Sequence, residues 1–154
     1  MRRLDPGDPA PPFGLVNQEG VTVGLSDFEG RKLLVYFYPK ADTPGCTNQS
    51  CAVRDAREDF ARLGVEVVGI SPDEPESQAA FDRKYSLGFP LLSDVDHAVA
   101  ESWGVWGERS YAGGTRMGIV RSSFLVDESG RIEQAWYEIA PGDTVPNALA
   151  ALSA

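Results

Sequence analysis

The amino-acid sequence predicts an α/β fold, and three features carry that expectation. Residues 32–38 and 65–70 are predominantly apolar runs rich in β-branched or aromatic side chains, the make-up of strands buried on both faces. A helical pattern follows each run, over 44–63 and 75–85. Strand and helix therefore alternate as they do when parallel strands are joined by crossover helices. Near the C-terminus, 118–127 and 131–137 alternate at period 2 about Glu128-Ser129-Gly130, a hairpin signal.

The individual elements follow in order. Residues 5–14 hold four of the 11 prolines and read as an extended lead-in ending at Phe13. Asn17-Gln18-Glu19-Gly20, with Val21 and Val23 after it, suggests a small hairpin, and 26–28 a single helical turn. The run 32–38 is closed by Pro39 and is expected to be central. In the helix that follows, Pro44 suits the first helical position and Gly64 stands just past the end. Ala52, Ala56, Phe60 and Leu63, at i, i+4, i+8 and i+11, form its expected core stripe. Ala79 and Phe81 are apolar positions of helix 75–85. Leu91-Leu92 is a short strand, 96–103 a short helix, Gly113-Gly114 a mobile loop and 144–152 a last helix. No repeat, low-complexity segment or long linker divides the chain, so one domain over 1–154 is expected.

Composition narrows the function. With 14 basic and 23 acidic side chains the formal net charge is −9, and the basic residues are scattered. That argues against nucleic acid and anionic membranes as partners. The longest uninterrupted apolar run, 33–38, is far shorter than the roughly 20 residues that span a bilayer. Two arginines near the start have no apolar segment behind them, so no secretory signal is read and a cytoplasmic, reducing location is expected. Two cysteines and one histidine exclude a disulfide-dense scaffold or a zinc ribbon.

Both cysteines lie in Tyr38-Pro39-Lys40-Ala41-Asp42-Thr43-Pro44-Gly45-Cys46-Thr47-Asn48-Gln49-Ser50-Cys51, which runs from the end of the central strand into a helix. The carboxyl ends of strands are where α/β folds bind ligands. Cys46 falls in the first helical turn, where unpaired N–H groups and the positive end of the macrodipole favour an anion such as a thiolate. Two cysteines five apart also read as ordinary small core residues or as a structural disulfide. The second alternative is hard to build, because i and i+5 on a helix have Cα atoms about 8.6 Å apart. Disulfides rarely tolerate more than about 7 Å. A bond between these two requires at least one helical turn to unwind, which suits a reaction cycle better than a staple.

Pro39-x-x-x-Thr43-x-x-Cys46 resembles the peroxiredoxin active-site motif. Thr43-Pro44-Gly45-Cys46-Thr47 followed by Cys51 is similar to its Q-type, or bacterioferritin-comigratory-protein, branch. The resemblance continues through Val35-Tyr36-Phe37-Tyr38-Pro39-Lys40, Gly69-Ile70-Ser71, Leu91-Leu92-Ser93-Asp94, Gly104-Val105-Trp106-Gly107-Glu108 and Arg121-Ser122-Ser123-Phe124-Leu125-Val126-Asp127, in the family's order over essentially the whole chain.

This resemblance implies a thioredoxin-like fold, with a central mixed β-sheet flanked by helices and an N-terminal hairpin extension. It also implies an enzyme, a thioredoxin-dependent peroxidase that reduces hydrogen peroxide and organic hydroperoxides in antioxidant defence. Carried over residue by residue, Cys46 is the peroxidatic cysteine and Cys51 the resolving one, while Pro39, Thr43 and Arg121 complete the pocket. Cys46 becomes a sulfenic acid; Cys51 then forms an intramolecular disulfide, which thioredoxin or a similar dithiol reduces. No metal or other cofactor is implied, and a monomer is expected. A free cysteine is roughly 3% thiolate at pH 7, so full ionisation gains only about thirtyfold. The remaining rate must come from donors aimed at the peroxide oxygens: Arg121, the Thr43 hydroxyl and backbone N–H groups near Cys46.

Taken alone, Thr43 reads equally as an N-cap and Arg121 as the partner of a carboxylate. Two other functions fit the cysteines. A thiol-disulfide oxidoreductase is disfavoured by the missing Cys-x-x-Cys; a redox-switched binding module would expose a surface when Cys46 and Cys51 bond. Asn48-Gln49-Ser50 reads as a chance sequon, Asp94-x-Asp96-His97 as a solvated turn and helix cap, and Trp103 and Trp106 as core or near-site residues. The stretch between Arg109 and Arg116 departs from the family pattern and leaves substrate preference and reductant docking open.

Overall fold

The computed structural model describes residues 2–153. Nine strands and four α-helices follow the chain as β1 (Gly14–Val16), β2 (Thr22–Gly24), a 3-10 turn (Leu25–Phe28), β3 (Lys32–Phe37), α1 (Pro44–Arg62), β4 (Val65–Ser71), α2 (Pro75–Tyr85), β5 (Leu91–Ser93), α3 (Ala98–Ser102), β6 (Trp106–Tyr111), β7 (Gly114–Ile119), β8 (Ser122–Val126), β9 (Ile132–Trp136) and α4 (Thr144–Ser153). Seven strands form one sheet in the order β2-β1-β5-β4-β3-β8-β9. β3, β4 and β5 run parallel, whereas β1 pairs antiparallel with β5 and β8 antiparallel with β3. The mixed sheet and N-terminal hairpin are those expected.

β3 is buried on both faces because helices or loops cover each side. Leu33, Val35 and Phe37 join a core with Trp103, Phe124 and Phe13. Leu34, Tyr36 and Tyr38 pack on the other side against Val53, Ala56 and Phe60 of α1, Phe81 of α2 and Ala148 of α4. The period-2 alternation of a strand thus sorts one apolar run into two cores.

Three expectations need correction. The buried face of α1 is Cys46, Gln49, Ser50, Val53, Ala56 and Phe60, so of the expected stripe Ala56 and Phe60 face inward and Ala52 and Leu63 do not. Leu63 is the C-cap and 47% exposed, and Ala52 is only half-buried. Two polar residues take the inward positions, for reasons that concern the site. Secondly, 106–119 is a two-stranded hairpin of its own, β6 with β7. Gly113 is in its turn and Gly114 begins β7, so no separate loop stands there, and the period-2 strand starts at Ser122 rather than at residue 118. Thirdly, Asp94 is not solvated: it is buried, and its carboxylate accepts the Val99 and Ala100 N–H groups of α3 at 3.1 and 2.8 Å. Burial raises its carboxyl above the ordinary value.

Gly69 shows how tightly the sheet holds the helix above it. A Cβ there would stand 2.8 Å from the Tyr36 ring. Tyr36 is fully buried, and its hydroxyl meets Ser50 Oγ of α1 at 2.8 Å, so the ring cannot simply swing away. Gly69→Ala is expected to lower stability by about 1–3 kcal/mol, the usual range for overpacking a core. Urea unfolding with an unchanged m-value measures it.

Candidate active site

The site is assembled at the carboxyl end of β3. Antiparallel pairing sets Ser122 of β8 opposite Phe37, so Arg121, one residue earlier, arrives beside the loop that leaves β3. That loop, 38–43, is pinned from several sides. The Ala41 N–H donates to Asp73 at 2.7 Å. Asp42, at φ 60°, accepts from Lys84 Nζ and Tyr85 Oη at 2.9 and 2.7 Å. Those two hydrogen bonds, Lys84 first, hold its carboxyl below the ordinary value.

Thr43 takes the N-cap backbone position of α1 (φ −96°, ψ 156°), and Pro44 opens the helix. Gly45 and Cys46 are then first-turn residues whose amides have no carbonyl four residues back within the helix. The first helical bond is Thr47 N–H to the Thr43 carbonyl, 2.8 Å. The Thr43 hydroxyl does not cap the helix; it donates to the Lys40 carbonyl at 2.8 Å. Its only proton is committed there, so toward the cleft it presents lone pairs. The donor role expected for it is replaced, in this geometry, by that of an acceptor.

Cys46 is 1% exposed and carries a free thiol. Arg121 Nη2 lies 3.5 Å from its sulfur. Arg121 Nη1 donates to Gln49 Oε1 at 2.5 Å, and Gln49 Nε2 donates to Thr144 Oγ1 at 3.0 Å. Gly45 makes this approach possible: a Cβ there would be 3.0 Å from Arg121 Nη2 and 3.3 Å from the Pro141 ring. Arg121, expected within the strand pattern 118–127, stands in the residue before β8, and its side-chain partners are a glutamine and a thiol instead of a carboxylate.

Pro39, Thr43, Cys46 and Arg121 all line one cleft of about 410 Å³. Lys40, Arg109 and Arg116 are on its rim and Trp106, Met117 and Ile119 on its apolar side. A chain of net charge −9 therefore concentrates four cationic side chains around its buried thiol, a local field that favours anions. Trp106 is stacked on His97 with ring centroids 3.8 Å apart. The hairpin β6–β7 that supplies most of this wall is the element the sequence did not reveal.

Cys51 is not part of the cleft. It is half-buried on the same helix, against the core that contains Tyr36 and Val53. α1 is continuous from Cys46 to Cys51, so the two thiols are held apart. Between them, Gln49 and Ser50 are fully buried and tied to other elements, Gln49 to Arg121 and Thr144 and Ser50 to Tyr36. Burial pushes the Tyr36 phenol far above its ordinary value, and it remains a neutral hydroxyl.

This geometry has close relatives. The AhpC/TSA family model matches residues 6–135. A putative peroxiredoxin bcp of Haemophilus influenzae is 54% identical over 136 residues, 88% of each chain. Peroxiredoxin Bcp of Escherichia coli is 52% identical over 136 residues, 88% of this chain and 87% of that one. Among solved structures, a PrxQ variant of Xylella fastidiosa superposes with TM-score 0.90 at 29% identity over the whole of both chains. A bacterioferritin comigratory protein of Xanthomonas campestris, studied for its alkyl peroxide reduction activity, gives TM-score 0.85 at 33% identity, covering 92% of this chain and 90% of that one. The chain belongs to the AhpC/TSA family and, within it, resembles the Bcp and Q-type peroxiredoxins.

Proposed function

We propose that this chain is a thiol-dependent peroxidase for hydrogen peroxide and organic hydroperoxides, working as one thioredoxin-like domain over 1–154, monomeric and cytoplasmic. The observation that carries the reading is the buried Cys46 thiol with the Arg121 guanidinium 3.5 Å from its sulfur, at the floor of an open cleft.

In the first step the Cys46 thiolate attacks the terminal oxygen of the hydroperoxide. The S–O bond forms as the O–O bond breaks, the leaving alkoxide or hydroxide takes up a proton, and Cys46 is left as a sulfenic acid. Charge moves onto the leaving oxygen, where Arg121 and the first-turn amides of Gly45 and Cys46 donate. Thr43, its own proton on Lys40, accepts from the hydroperoxide O–H. Pro39 and Pro72 line the cleft and bring no N–H of their own to compete for the oxygens.

In the second step the Cys51 thiolate attacks the Cys46 sulfur and expels the hydroxyl as water. Helical spacing forbids that bond until the segment between the cysteines unwinds. Unwinding strands the buried Tyr36 hydroxyl and breaks the Gln49 contacts. Each orphaned buried group costs roughly 1–3 kcal/mol, so the unwound form is a minor state at rest. A dithiol donor of the thioredoxin type then reduces the disulfide by exchange and returns both thiols. Among the described residues no helix is long and apolar enough to cross a membrane.

Purified protein is expected to consume hydrogen peroxide with a thioredoxin system. Cys46→Ser should abolish consumption, and Cys51→Ser should react once per chain without efficient recycling; normal turnover by Cys46→Ser would overturn the reading. Arg121→Lys keeps the charge but loses the planar fork, and a loss of roughly 10²-fold in the oxidation rate is expected from removing an aimed donor. Stopped-flow oxidation of the reduced protein measures it.

Tyr36→Phe removes the hydroxyl that unwinding would strand, while Ser50 can turn to the helix carbonyl four residues back. Disulfide formation after a peroxide pulse is therefore expected to quicken several-fold, for roughly 1 kcal/mol of relief, with the oxidation step unchanged. Quenched-flow thiol trapping separates the two steps.

A further inference from the structure

We propose that Thr144, the first residue of α4, is a positioning residue for the peroxide reaction: through Gln49 it holds the Arg121 guanidinium against the Cys46 sulfur. The proposal rests on the peroxidase reading above and assigns to the C-terminal segment a part in the site. Thr144 lies beyond residue 135, where the match to the family model ends.

The argument starts from what each group can donate. A guanidinium only donates, so Gln49 must turn Oε1 toward Arg121, and its Nε2 is left as a donor. Gln49 is fully buried, and the acceptor its Nε2 finds is Thr144 Oγ1, 3.0 Å away. A side-chain amide held at both ends has one orientation and one position. Arg121 Nη1 is thereby fixed at 2.5 Å from Gln49 Oε1, which aims Nη2 at the sulfur.

The same C-terminal stretch grips Arg121 by its backbone as well. Ile139 N–H donates to the Arg121 carbonyl at 3.0 Å, and the Pro141 ring packs where a Gly45 Cβ would stand. Thr144 itself is 1% exposed. Its helix is seated in the core by Ala148, with Val145 and Leu149 beside it. It is a rigid post for the amide and is not a surface residue that meets it by chance. Without the hydroxyl, Nε2 has no acceptor, Gln49 leaves its place and the arginine fork is free to rotate about its long stem.

Thr144→Val tests this with nearly the same shape and no hydroxyl. Pre-reduced protein is mixed with hydrogen peroxide in a stopped-flow instrument and Cys46 oxidation followed over a single turnover. Thr144→Val is expected to be roughly 10- to 100-fold slower than wild type, the scale of an ångström-level misplacement of a catalytic group. Thr144→Ser restores the hydroxyl and is expected to return to within about threefold of wild type. A purely structural role would lower the melting temperature of both variants without this split in rate. The proposal is overturned if folded Thr144→Val reacts as fast as wild type, or if Thr144→Ser is as slow as Thr144→Val. If the valine variant does not fold, Thr144→Ala carries the same expectation and the same overturning result. Failure of the peroxidase reading looks different, since wild type itself would then not react.

Discussion

The contact between the Arg121 guanidinium and the Cys46 sulfur, 3.5 Å, is the constraint around which the rest of the molecule is arranged. Bringing a cation to a buried thiol demands that two distant parts of the chain meet at a fixed point. The antiparallel pairing of β8 with β3 does this, since Phe37 and Ser122 are register partners. The thiol is brought by a helix that starts a few residues after the strand stops, and its first-turn amides remain available to an anion. Gly45 keeps the two close by having no side chain to part them. Even the distribution of charge follows. Acidic residues dominate the chain as a whole, yet Lys40, Arg109, Arg116 and Arg121 collect at the cleft.

In the proposed cycle, the same rigidity that aims the arginine opposes the second half. Cys51, five residues along the helix, is unreachable from Cys46 while α1 is intact, and Gln49 and Ser50 between them are anchored by buried polar contacts. Hydrogen bonds of this kind are worth little net when made and much when broken without replacement. Such contacts therefore hold the attacking form firmly and are lost together once the turn opens. Their placement on Gln49 and Ser50, the two polar residues that face inward on α1, couples the aim of Arg121 to the closed form of the helix. In the proposed cycle, attack and resolution draw on alternative states of one segment.

Much of this was legible in the sequence because it rests on periodicity and on punctuation. The run 32–38 signals a doubly buried strand, Pro44 and Gly64 bracket α1, and the threonine–cysteine spacing of the motif carries the site. What was not legible has a common cause. Gln49, Ser50 and Thr144 are isolated polar residues whose burial is decided by partners far away in the chain, such as Thr144 for Gln49, 95 positions on. An apolar count finds Ala56 and Phe60 but adds Ala52 and Leu63 to the inner face of α1 in place of the polar pair, because nothing local says that a glutamine will find an arginine. β6 and β7 were missed for a related reason. Their residues are largely exposed, so no apolar alternation marks them, and two glycines near the turn read as a loop. Trp106 shows the cost: its place in the cleft wall depends on that hairpin.

One measurement bears most directly on the central claim, that peroxide oxidises Cys46 and Cys51 resolves it within the same chain. Trypsin cutting after Lys40 and Arg54 leaves both cysteines in one peptide. Reduced protein is treated with one equivalent of hydrogen peroxide, alkylated, digested and weighed. The expected peptide 41–54 has lost two hydrogens and carries no alkyl group, and the protein stays monomeric on a non-reducing gel. A peptide alkylated at both cysteines, or a disulfide joining two chains, would contradict the account.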